Sequence, residues 1–108
     1  MNLVEEFFKK ENIYNEDFFE YVRNRVHYLP FDVSLDWFGC FPILDENNIL
    51  IDFHIFVPTI KSEENKLVNI HEFYHGYELY NELGKTYIED GEERERRAKS
   101  FERKYKHY

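Results

Sequence analysis

The chain has 108 residues, a formal net charge of −8 and an aromatic content of 19%. That length suits one domain with one core, so residues 1–108 are read as a single domain. The acidic balance argues against a nucleic-acid surface, because phosphate affinity rests on Lys and Arg. No run of 18 apolar residues exists to cross a membrane.

Met1-Asn2-Leu3-Val4-Glu5-Glu6 does not read as a signal peptide. The single cysteine, Cys40, excludes an intramolecular disulfide. Its neighbours Phe38-Gly39 and Phe41-Pro42 mark it as a packing thiol. A soluble cytoplasmic protein is expected.

In chain order, Leu3 to Lys10 and Glu16 to Tyr28 read as helices, with Asn15 able to cap the second. The period then changes. Val33 to Phe38 starts with a strand-like alternation, and Phe41 to Leu44 continues it. Asp45-Glu46-Asn47-Asn48 is a hairpin turn. Ile49 to Val57 is the clearest strand, with Ile49, Ile51, Phe53, Ile55 and Val57 on one face and Pro58 at its end. Asp52 and His54 fall on its more polar face, where His54 is read as a half-exposed sheet residue, the alternative being a reach to the site to bind a developing oxyanion. His27 and His107 have no spacing partner and receive no role.

Leu67 to Leu83 reads as a helix with two apolar faces. Ile70, Phe73, Tyr77 and Tyr80 form one; Val68, His71, His75 and Leu79 form the other. Such a helix is largely buried. Gly76 costs about 1 kcal/mol relative to Ala in mid-helix, so it is read as a place where a neighbouring backbone comes close. Gly84 fits a helix stop. Asp90 caps a last helix, Gly91 to Lys106, and Glu93 completes a capping-box-like pair. Glu92 with Arg96, Glu93 with Arg97, Glu95 with Lys99 and Glu102 with Lys106 are spaced for surface ion pairs. The apolar stripe of this helix is Ala98, Phe101, Tyr105 and Tyr108. The order is therefore α+β: N-terminal helices, a short antiparallel sheet, a histidine-bearing helix and a C-terminal helix.

The chemistry lies in His71-Glu72-Phe73-Tyr74-His75. Histidines at i and i+4 share one helix face, one turn apart, and can close on a single tetrahedral Zn²⁺. Glu72 stands beside that face, where a carboxylate can act as general base toward water. A third ligand is still needed. Extending the Ala98–Phe101 stripe back by three reaches Glu95, an inward carboxylate that must be paired or metal-bound, because an unpaired buried charge is costly. Glu78 competes for the role. It shares a helix with both histidines, and three ligands along one straight helix rarely converge on a tetrahedral ion. Tyr74, Tyr77, Tyr80 and Tyr87 cluster around the motif and are read as packing, with one able to donate to a tetrahedral intermediate.

His71-Glu72-x-x-His75 followed by Glu95-x-x-Ala98-x-x-Phe101 resembles the ImmA/IrrE-like metallopeptidases, small gluzincins of the zincin group. The resemblance covers Leu67 to Phe101. Arg97 stands where members commonly carry Glu, and Glu102 where they commonly carry Ala. The resemblance implies a zincin-like fold and a zinc-dependent peptidase. Its metal ligands would be His71, His75 and Glu95, and its general base Glu72. Its substrate would be a protein or peptide, such as a repressor-like regulator. An extended substrate would pair with an exposed edge strand of the hairpin. The small size leaves one alternative, a non-enzymatic interaction or regulatory protein that keeps the fold.

Overall fold

The computed structural model describes residues 1–30 and 33–106. The elements are α1 (Asn2–Lys10), α2 (Glu16–Val22), β1 (Val26–Leu29), a 3-10 turn (Leu35–Trp37), β2 (Gly39–Leu44), β3 (Leu50–Pro58), α3 (Glu63–Asn81) and α4 (Gly91–Tyr105). This is an α+β fold of four helices and a three-stranded mixed sheet among the described residues. None of those helices is long and apolar enough to cross a membrane.

The sheet corrects the antiparallel expectation. Its order is β1-β3-β2, with β2 antiparallel to β3 and β1 parallel to it. β1 comes from a stretch expected to be helical. Asn15 does cap α2, accepting from the Phe18 N–H at 3.1 Å. The helix stops at Val22, however, and Arg25 turns back to donate to the Tyr21 carbonyl at 3.0 Å. The Val26-His27-Tyr28-Leu29 run then pairs with Ile55 to Pro58. A β-branched and aromatic run suits a strand once a partner is present, and the partner here is about thirty residues away in sequence.

Two further expectations shift. Leu35 to Trp37 is a 3-10 turn rather than strand, with Ser34 Oγ accepting from the Asp36 N–H at 3.4 Å. On β3, Phe53, Ile55 and Val57 are buried as the alternation requires, but Ile51 is 53% exposed and Leu50 is buried. The register explains it. Ile43 faces Asp52 and Leu44 faces Leu50, so Ile51 is an extra residue and the phase flips. The turn itself forms as expected: Asp45 Oδ1 accepts from the Asn47 and Ile49 N–H groups at 2.8 and 3.0 Å.

α3 starts one turn earlier than expected, because Ser62 caps it by accepting from the Asn65 N–H at 3.1 Å. Phe7, Phe8, Phe18, Phe19, Phe53, Phe73, Ile70 and Phe101 form the core that joins α1, α2, α3 and α4 to the inner face of the sheet. Gly76 lets α3 settle onto β3. A Cβ there would lie 2.7 Å from Ile55 Cδ1 and 3.3 Å from Phe53, so side chains, not backbone, make the close approach. On α4, Ala98 and Phe101 are buried as expected. Tyr108 and His107 lie outside the described residues.

Overpacking at Gly76 costs about 1–3 kcal/mol, and a better helix former returns about 1. Gly76→Ala is therefore expected to lower stability by about 1 kcal/mol, read from urea unfolding at an unchanged m-value. On the central strand β3, a carboxylate ties the sheet to α2. Asp52 Oδ1 accepts from Tyr21 Oη at 2.6 Å, Arg25 Nε at 2.7 Å and the Phe53 N–H at 2.7 Å. Burial works against its charge, but these bonds and the Arg25 charge outweigh it and hold the carboxyl below its ordinary value. Such a group contributes above its unfolded pKa of about 4, and the contribution fades as pH falls through the folded value. Asp52→Asn should cost about 1–2 kcal/mol at neutral pH. The gap from wild type should close on acidification in paired unfolding curves.

Candidate metal centre

α3 and α4 run side by side, and the inward faces of both are polar over one short stretch. His71 and His75 rise one turn apart on α3, with ring centroids 4.9 Å apart and planes at 76°. Their Nε2 atoms lie 3.2 Å from each other. From α4, Glu95 brings Oε1 to 2.9 Å from His71 Nε2 and Oε2 to 3.2 Å from His75 Nε2. Two imidazole nitrogens and a carboxylate thus converge from two helices with edges of 2.9–3.2 Å. Ligands about 2.0–2.1 Å from a tetrahedral Zn²⁺ stand about 3.3 Å from each other. The trio fits such an ion with small adjustments of rotamer. Glu72 completes the group, its carboxylate within 4.8 Å of the ligating atoms of both histidines.

Glu78 is not part of it. Its carboxylate takes Arg97 Nε at 2.6 Å and Nη2 at 3.2 Å. Arg94 pairs in the same way with Glu82, through Nη1 and Nη2 at 2.7 Å each, and donates from Nη2 to the Ile88 carbonyl at 3.0 Å. These two bidentate pairs lace α4 to the second half of α3 and the loop between them. They hold Glu95 opposite the histidines.

The expected surface pairs on α4 are therefore only partly formed. Glu93 does reach Arg97, at 3.5 Å. Glu95 and Glu102 turn inward instead. Glu102 Oε1 lies 2.7 Å from His71 Nδ1, a contact the sequence reading missed by pairing Glu102 with Lys106. The signal was available: Glu102 stands seven residues after Glu95, two turns on, along the same side of the helix. Arg94 was also missed; it is buried although charged, because Glu82 neutralises it.

The electrostatics follow from burial. Glu72 is pushed up to about 7, first by desolvation and then by the nearby Glu95 and Glu102, with His71 opposing. Burial and the neighbouring His71 lower His75, against the pull of Glu95. For Glu95, burial raises the carboxyl, but the two histidines outweigh it and leave it below its ordinary value. Three carboxylates around two imidazoles make a site that a divalent cation would neutralise.

The site opens into a cleft of about 310 Å³. Glu72, His75 and Glu95 lie on one side; Gly39, Cys40 and Pro42 of β2 line another. Cys40 thus faces the cleft, half-buried, with burial raising its thiol well above the ordinary value. His54 is elsewhere. It pairs with His27 at 2.8 Å, and His27 stacks on Phe56 with ring centroids 4.6 Å apart. Tyr74 packs on Phe101, Tyr77 on Phe8, and Tyr80 on Phe18; Tyr87 is the tyrosine that lines the cleft. Comparison of the chain with protein-family models, with curated proteins and with solved structures gave no match.

The geometry separates the two candidate third ligands. Glu95→Ala should weaken Zn²⁺ affinity far more than Glu78→Ala, measured by competition with a chromogenic chelator. Glu78→Ala should instead lower stability by at most about 1 kcal/mol, since Arg97 is partly exposed and keeps Glu93 at 3.5 Å. The reverse ranking would place the third ligand on α3.

Proposed function

We propose that this protein is a minimal zinc metallopeptidase of the zincin kind, similar to the ImmA/IrrE-like peptidases, hydrolysing a peptide bond in a protein or peptide. The observation that carries this reading is the convergence of His71 Nε2, His75 Nε2 and the Glu95 carboxylate at 2.9–3.2 Å, with Glu72 beside them at the wall of a cleft. His71, His75 and Glu95 would hold Zn²⁺, which when bound polarises a carbonyl and acidifies water.

The chain's own residues supply the rest. Glu72 takes the proton of the attacking water and passes it to the departing amine. β2 offers the place for the substrate backbone. It is an edge strand, and Pro42 within it has no N–H. Pro42 faces Phe53 across the ladder, so that pair is one that needs no hydrogen bonds to β3. By the same parity, Cys40 turns its N–H and C=O to the free edge. An extended peptide can therefore pair with Cys40 and with the Pro42 carbonyl, alongside the metal trio. A repressor-like regulatory protein is the substrate that the family resemblance suggests.

Glu72→Gln tests the reading. Gln keeps the shape and can still hydrogen-bond water, but cannot accept its proton. Zinc content and fold should be unchanged, while cleavage of an unstructured peptide library falls by about 10²–10⁴-fold. Equal cleavage by both forms removes Glu72 from the role. Wild-type protein that holds zinc and cleaves nothing sinks the enzyme reading.

A further inference from the structure

His71 is gripped at both ring nitrogens by carboxylates of one helix. Nε2 faces Glu95 at 2.9 Å and Nδ1 faces Glu102 at 2.7 Å. The two acids stand two turns apart on α4, and Ala98, fully buried, lies between them with only a methyl group. That leaves room for the imidazole ring between the two carboxylates. His75, by contrast, makes both of its hydrogen-bond contacts through Nε2.

A neutral imidazole has one proton for two nitrogens. An ionised carboxylate can only accept, so each acid competes for it. Glu102 makes the shorter contact and is the drier of the two, 23% exposed against 45% for Glu95. A charge-assisted bond is stronger where water is scarcer. The proton therefore belongs on Nδ1, toward Glu102, which leaves the Nε2 lone pair bare toward His75 and Glu95. Among the described residues it is also the hydrogen-bond contact of His71 that survives when a cation takes Nε2.

We propose that Glu102 is a positioning residue: it fixes the tautomer and ring orientation of His71 so that Nε2 points into the metal site. This rests on the zinc reading above. Glu102 touches neither the metal nor the substrate; it acts through His71, as a carboxylate behind a histidine ligand does.

The experiment uses the full chain and Zn²⁺ alone, comparing wild type, Glu102→Gln and Glu102→Ala. Affinity is read by competition with a chromogenic chelator. The protonation of each His71 ring nitrogen is read by long-range ¹H–¹⁵N NMR in the zinc-loaded state. Glu102→Ala is expected to bind zinc about 10–100-fold more weakly. Glu102→Gln, whose carbonyl can still accept from Nδ1–H, should lose less and should retain the wild-type tautomer. Circular dichroism of the Gln variant checks that the helices are intact. Wild-type protein that binds zinc, with Glu102→Ala binding it equally tightly, overturns the assignment alone. So does zinc-loaded wild-type His71 carrying its proton on Nε2. Wild-type protein that takes up no zinc overturns the metal reading and this assignment together.

Discussion

Two imidazoles and three carboxylates face one another between α3 and α4, and the cost of taking them out of water governs the rest of this half of the molecule. A buried charge is tolerable only when partners surround it. Glu95 has both histidines and Glu102 has His71, whereas Glu72 meets burial by a carboxyl pushed up to about 7. The helices could not bring these groups so close without being held together elsewhere. Phe101 packing into the core and the Arg97–Glu78 and Arg94–Glu82 pairs provide that hold. The polar cluster and the aromatic core are thus two sides of one helix pairing.

The arrangement has a direction. On one side of the cluster lies the aromatic core; on the other a cleft admits solvent and is walled by β2. Gly76 sets how deeply α3 sits on β3, and hence how far Glu72 and His75 stand from the edge strand. Pro42 shapes the other wall, because a residue without an N–H fixes which backbone groups of β2 are free. The bulge at Ile51 then returns the hairpin to the phase in which Leu50 reaches the core.

The arginines of α4 divide the labour with its glutamates. Arg94 and Arg97 face the acids near the end of α3, while Glu95 and Glu102 face its histidines. Each of these acids and bases therefore meets a partner across the interface. This fixes register as well as proximity, since a slip by one turn could put Ala98 or Lys99 where Glu95 meets the histidines.

Nearest neighbours and helical period account for much of the local structure. The caps at Asn15 and Asp90, the Asp45 turn, the burial of Ile70, Phe73, Ala98 and Phe101, the His71–His75 spacing and the inward place of Glu95 all follow from local chemistry and helical repeat. The remainder came from packing between segments distant in the chain. β1 exists because β3 is there to pair with it; the strand-prone run of residues 26–29 is too short to decide the matter alone. Ile51 turned outward because of a register shift that no alternation pattern contains. Glu78 went to Arg97, and Glu102 to His71, because the crossing of two helices, not the spacing along either, determines which acid meets which base. A local pattern can say which side of a helix a carboxylate is on. What stands opposite it is set by packing, because that partner comes from chain far away in sequence.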